Sequence, residues 1–316
     1  MSKLPLTSIT LLLVISVVGC SMVATGYNNA DWYLRYKINN YTSFNTTQKE
    51  TIQREVGVFM NWHRRDMLPE YIKFLKKIDQ SLQNSRIEKE QIFILSDELR
   101  GLYRITLRPT IHPAAHILAN MSKPQIQELE ENLKEENEKL KEESLNGSRD
   151  DQLSRRAEKT IDFIEDFTGN LSGEQKEKIT RMSRQLPFAA PAFMQNREKN
   201  QRKIIELIHN NEGAEKIASF IGLWISTPEH TRTPDEQKLI KEFQDATNGM
   251  IANIYTTLTP QQKQRLRDKI QEYTADLGAL TRKSQVAADW TAPSLALFHM
   301  NPIDLSGSFA TNNSAF

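Results

Sequence analysis

The feature that most constrains this chain is a phrase it uses four times. It reads FNTTQKETI from Phe44, MSKPQIQEL from Met121, LSGEQKEKI from Leu171 and LTPQQKQRL from Leu258. Each instance runs from an apolar residue through Ser, Thr or Asn and two further residues to Gln, then three further residues to a second apolar position. That is the form of a capping box. The cap side chain accepts a hydrogen bond from a free N–H in the first helical turn, and the residue three positions on reaches back to the cap's own N–H. Asn45, Ser122, Ser172 and Thr259 are the predicted caps, with Gln48, Gln125, Gln175 and Gln262 as their partners. Ile52, Leu129, Ile179 and Leu266 lie two turns further along and begin a buried face. Of the residues before the caps, only Met121 has an apolar residue, Ile126, at the usual hydrophobic-staple position; the other three phrases have lysine there.

Four such starts, with long glycine-free stretches rich in Glu, Lys, Gln, Leu and Ile, predict an all-α chain. No alternating strand pattern with turn dipeptides is present. A second echo, FMNWHRR from Phe59 and FMQNREK from Phe193, suggests tandem duplication. Phe59 lies 63 residues before Ser122, and Phe193 lies 66 before Thr259. The expected halves are residues 31–146 and 155–283, joined by a polar linker at 147–154. Helical faces are expected from Ile52, Val56, Phe59 and His63, from Ile92, Leu95, Leu99, Leu102 and Thr106, and from Ile126, Leu129, Leu133 and Leu140. Residues 235–282 read as two helices broken at Leu258-Thr259-Pro260. The segment 284–316 is expected to be irregular, partly packed through Trp290 and Phe298.

The chain opens MSKLPLTSITLLLVISVVGC. Lys3, then an apolar run from Ile9 to Val18 too short to span a bilayer comfortably, has signal-peptide proportions. Val17-Val18-Gly19-Cys20 resembles the bacterial lipobox. The resemblance implies cleavage after residue 19, acylation of Cys20 and a tether over residues 20–30. Ser21, rather than aspartate, implies sorting to the outer membrane of a Gram-negative envelope. Cys20 is the single cysteine, so an intramolecular disulfide or a cysteine-based zinc site is excluded.

Chemistry-bearing clusters are sparse. NWHRRDMLPEY, residues 61–71, places His63, Asp66 and Glu70 at helical spacing, but with no separate nucleophile or orienting group. It reads as a helix end with a proline bend. His112 and His116 stand four apart without a third metal ligand. No phosphate loop or nucleophile elbow is present. Positive and negative residues, 41 against 40, leave no electrostatic footprint for nucleic acid. The run EENLKEENEKLKEES reads as a solvated helix face. The expectation is a non-enzyme with no cofactor and no metal.

Two resemblances follow from these residues. Cys20 followed by DWYLRYKINNYTSFNTTQ and WHRRDMLPEY resembles an uncharacterised family of Gram-negative envelope lipoproteins, a domain of unknown function. LTPQQ also resembles the LTxxQ signature of the Spy and CpxP periplasmic proteins, which are small all-helical chaperone-like proteins that dimerise into a curved cradle. LSGEQ and MSKPQ replace its Thr by Ser, and FNTTQ departs further. These resemblances imply a lipid-anchored periplasmic binding protein, chaperone-like towards envelope proteins. The alternative is a structural or assembly lipoprotein that partners an outer-membrane protein or the cell wall. The expected contact surface comprises Trp62, His63, Arg64, Arg65 and Tyr71 in the first half, with Phe193, Met194 and Arg197 as counterparts.

Overall fold

A computed structural model describes residues 22–288, with side chains from 23 to 282. The signal peptide, Cys20, Trp290 and Phe298 lie outside them. Every regular element among the described residues is helical. In chain order these are α1 (Met22–Asn28), α2 (Ala30–Asn39), α3 (Thr46–Trp62), α4 (Leu68–Ser81), α5 (Lys89–Leu107), α6 (Ile111–Ala119), α7 (Lys123–Leu145), α8 (Arg149–Thr168), α9 (Gly173–Gln185), α10 (Ala190–His209), α11 (Gly213–Ser226), α12 (Pro234–Thr257) and α13 (Pro260–Ala288).

The helix starts follow the four phrases. Asn45, Ser122 and Ser172 are the N-caps of α3, α7 and α9. Thr259 immediately precedes α13, and its hydroxyl accepts from the Gln262 N–H at 3.2 Å. Proline occupies a first-turn position in α7 and α12, where its missing N–H costs nothing. The break expected at Leu258-Thr259-Pro260 divides α12 from α13.

Other boundaries differ from the sequence expectation. The region expected to be a tether is helical from Met22, and α1 packs against α13. The expected linker is a short turn. Gly147 takes a left-handed φ of 78°, Ser148 caps the next helix through a box with Asp151, and α8 begins at Arg149. The segment expected to be irregular from 284 remains helical to Ala288. The helical path is not broken in the stretch 61–71. A π-helical turn, His63–Met67, joins α3 directly to α4, and the Leu68 N–H bonds to the His63 carbonyl five residues back. The widened turn directly precedes Pro69, which lacks the N–H an uninterrupted α-helix would use there.

The two largest apolar clusters among the described residues are each assembled from both parts of the chain. Leu82, Ile87 and Ile92 pack with Leu171, Ile179, Met250, Ile254, Leu258 and Ile270. Ile111, Ala115, Ile126 and Leu129 pack with Ile205, Ile208, Ile217 and Ile221. In helix terms, α4 lies on α13 while α10 lies on α7, and α5 lies on α12 while α11 lies on α6. Tyr255, on α12, donates its hydroxyl proton to the Leu82 carbonyl at 2.8 Å and so ties α12 to the end of α4.

The two largest clusters therefore each need both segments, while two smaller ones, around Phe44 and around Met67, lie within the first. Residues 21–146 and 147–316, produced separately, should each lack cooperative thermal unfolding by circular dichroism. Produced together, they should associate and recover it. Cooperative unfolding of either segment alone would contradict the interlocked core.

Candidate functional site

The four glutamines do more than cap. Each side-chain oxygen accepts the N–H of its own cap residue, at 3.0 Å for Asn45, 2.9 Å for Ser122, 2.8 Å for Ser172 and 2.9 Å for Thr259. Each side-chain NH₂ donates twice. Gln48 and Gln125 face each other, with Nε2-to-Oε1 distances of 3.3 and 2.6 Å in the two directions. Gln175 and Gln262 do the same at 2.8 and 3.1 Å. The second proton of each amide goes to the carbonyl two residues before the partner's cap: Asn120 and Ser43 in one pair, Thr257 and Asn170 in the other. Every donor and acceptor position of the four amides is thereby used. All four side chains are buried.

The apolar residues before the caps complete each unit. Phe44 and Met121 meet in one cluster, and Leu171 and Leu258 in another. They staple helix to helix across each pair. Two other capping boxes in the chain end in carboxylates, Ser148 with Asp151 and Thr233 with Glu236. An ionised carboxylate has no proton to give, so it can cap but cannot join such a pair. The choice of glutamine at all four paired sites follows from that difference. An open depression of ≈ 510 Å³ over the first pair is lined by Ser43, Asn45, Pro124 and Glu128 among others. It is too open to enclose a small molecule.

The expected contact residues divide into several environments. The His63 ring is half-buried between aromatic neighbours. The Tyr27 hydroxyl is hydrogen-bonded to its Nδ1 at 2.8 Å, and Phe59 and Tyr71 lie 5.6 and 5.5 Å from it between ring centres. Burial holds its pKa below the ordinary imidazole value. Trp62 and Tyr71 pack against Met67, Phe74 and Leu102, and the Tyr71 hydroxyl bonds to Thr106. Arg64 reaches Asn28 at 3.1 Å and lies over the Tyr27 ring. Arg65 pairs with Asp66, and Glu70 with Lys73, so His63, Asp66 and Glu70 have separate partners.

In the second group, Arg197 is half-buried and binds Glu136 and Asn137 across the α7–α10 contact. Met194 is half-buried, whereas Phe193 is exposed and meets Phe243 edge-on. The two groups are not counterparts in the fold. Phe59 lies in the last turn of α3, whereas Phe193 lies in the first turn of α10. His112 and His116 are exposed on α6, and no cluster of three metal-ligating side chains occurs among the described residues.

More large apolar side chains stand exposed on α5 than on any other helix among the described residues. Phe93, Ile94, Leu99, Tyr103 and Ile105 are all exposed, Ile94 and Tyr103 by more than 60%. Leu99 was expected on the buried face with Ile92 and Leu102. It stands with Tyr103 on one flank, while Ile94 and Ile105, three turns apart, share the other. Asp97 and Arg100 pair among them at 3.3 Å, and Glu98 pairs with Lys77 of α4 at 2.6 Å. A second open depression, ≈ 360 Å³, runs between α4 and α5 beside Ile94. The sequence carried a signal for this surface. Four consecutive apolar residues, Ile92 to Leu95, cannot all turn inward on one narrow helical stripe.

Among known protein families, residues 40–222, more than half of the chain, match a family of unknown function, DUF6279. The matched span takes in three of the four capped starts and stops within α11. No curated protein and no solved structure matches the chain. No helix among the described residues is long and apolar enough to cross a membrane.

The half-buried His63 has a measurable consequence. The unfolded chain takes up the imidazole proton as pH falls through about 6.5, while the folded protein resists until lower pH. Its contribution to stability is therefore full above that value and is lost as pH falls towards the folded pKa. The melting temperature should drop between about pH 7.5 and pH 5.5, before the carboxylates titrate. His63→Phe keeps the ring volume and removes the proton site, so its melting temperature should drop by less over the same range. Equal drops in the two proteins would show that His63 does not titrate with folding.

Proposed function

This chain belongs to the DUF6279 family, which brings no activity with it, and we propose that it is a non-enzymatic, lipid-anchored envelope protein that binds exposed apolar segments of other envelope proteins in a chaperone-like way. The observation that carries this reading is the α5 surface, where five large apolar side chains stand in solvent among paired charges. An unfolded segment is captured by burying apolar area, at about 25 cal/mol per Å². The charges between the apolar side chains keep such a surface soluble and speed encounter. The lipobox at Val17–Cys20 supports the envelope address, with acylation at Cys20 and the outer membrane as destination.

The resemblance to the Spy and CpxP proteins gains a physical basis in the paired amides. Two LTxxQ-like starts pair once in each half of this chain. The helix order α3 to α7 is echoed by α9 to α13, with reciprocal packing between the two sets. On this reading the protein is a tandem duplication, a two-chain cradle joined into one polypeptide through α8.

The mature chain should suppress aggregation of chemically denatured proteins without ATP. Ile94→Ser combined with Tyr103→Ser should weaken that suppression while leaving the helical circular-dichroism signal intact, because both side chains are exposed. Trp62→Ala should instead lower thermal stability, since Trp62 packs on a buried cluster. Failure of the wild-type chain against several unrelated clients would overturn the chaperone-like reading. Recovery of one stoichiometric partner from solubilised envelopes would then establish the assembly role.

A further inference from the structure

α2 has two apolar faces, and the body of the protein covers one of them. Leu34 and Ile38 pack against the cluster of Phe44, Ile52 and Val56. Trp32, Tyr33 and Tyr36 form the other face and are 60, 51 and 50% exposed. Trp32 and Tyr36 lie one helical turn apart and stack nearly parallel, with ring centres 5.7 Å apart. The Lys37 ammonium lies 5.7 Å from the centre of the Tyr33 ring. The only carboxylate of α2, Asp31, is held by Arg35 at 2.9 Å. The open face is thus aromatic, with polar ring edges and a cation beside it.

The position of this face identifies its occupant. Trp32 is twelve residues beyond Cys20. Even with the greatest length the residues from Cys20 to Met22 can reach, the short helix α1 and the junction at Asn29 keep the two within roughly 25 Å. The base of α2 is also fastened to the body: Tyr27 bonds His63, Arg64 holds Asn28, and α1 lies on α13. A lipid on Cys20 would therefore bring a fixed surface, not a loose tail, to the bilayer.

We propose that α2 lies on the phospholipid surface entered by the lipid of Cys20, with Trp32, Tyr33 and Tyr36 at the level of the headgroups and Lys37 against lipid phosphates. This rests on the lipid-anchored reading above and adds an orientation to it. Trp and Tyr favour that zone because their rings bury apolar area while the indole N–H and phenol O–H stay hydrated. Lys37 adds attraction to anionic lipid. The contact need not be strong, because the anchor holds α2 near the surface at high effective concentration. The protein body would then be held at a defined tilt instead of swinging from its anchor.

The test uses the acylated full-length mature protein in phosphatidylcholine–phosphatidylglycerol vesicles. Cys20 is the only cysteine, so with its thiol occupied by lipid, Tyr33→Cys supplies a single site for an environment-sensitive fluorophore. Phe163→Cys, at a still more exposed position on α8, supplies the control. Flotation of both labelled proteins with the vesicles reports the anchor. The probe at 33 should shift its emission to the blue and be quenched by brominated lipid, and the probe at 163 should do neither. A protein that carries no lipid and fails to float overturns the anchor, and this placement of α2 with it. A protein that floats while the probe at 33 is quenched no more than the probe at 163 overturns the placement alone.

Discussion

Two buried glutamine amides hydrogen-bonded face to face, once between α3 and α7 and again between α9 and α13, set the frame on which the other helices pack. A helix start leaves N–H groups without partners, and a buried helix start must satisfy them. Each glutamine satisfies its own cap with its oxygen and the opposite loop with one proton, then closes on its partner with the other. Remove one amide and the partner keeps a donor and an acceptor that nothing else reaches. Leaving such a buried group unpaired costs about 1–3 kcal/mol. The carboxylate boxes at Ser148 and Thr233 mark the boundary of the rule, since they cap helices without joining them to another.

From these two fixed corners the long helices α7 and α13 project, and each receives a helix from the other part of the chain: α10 on α7, and α4 on α13. Polar contacts hold the same junctions in register. Arg197 reaches Glu136 and Asn137 at the first, and Arg267 reaches Asp79 at 3.1 Å at the second. The two largest apolar clusters thus each need both ends of the sequence. With the buried faces of α10 and α12 committed to those clusters, five apolar side chains of α5 and the aromatic face of α2 stay in solvent. Both surfaces are therefore available to partners without disturbing the core.

The caps were legible because their chemistry is local: a side-chain oxygen, three residues and a glutamine. The break before Pro260 was legible for the same reason. That the phrases pair was not, because capping logic asks only for an acceptor at the third position. The signal lay in the choice of glutamine over glutamate at all four sites, which shows its meaning only once a second helix start is opposite. The π-helical turn at His63–Met67 escaped because a proline at 69 reads locally as a helix break, whereas a widened turn carries the helix past it. Trp62 and Arg197, expected at a contact surface, are used internally by the fold. The exposed apolar side chains of α5 were not anticipated, although the run Ile92 to Leu95 exceeds what one buried stripe can hold.

The measurement that tests this account most directly is a double-mutant cycle on the glutamines, read by urea unfolding. Gln48→Ala and Gln125→Ala should each destabilise the protein. Together they should cost less than the sum of the two, by about 0.5–3 kcal/mol, because the second substitution removes a partner already lost. Gln48→Ala with Gln262→Ala, which share no hydrogen bond, should add to within about 0.5 kcal/mol. Additive losses for Gln48 and Gln125 would show that the amides act as separate caps, and would contradict the pairing on which the rest of the structure is argued to depend.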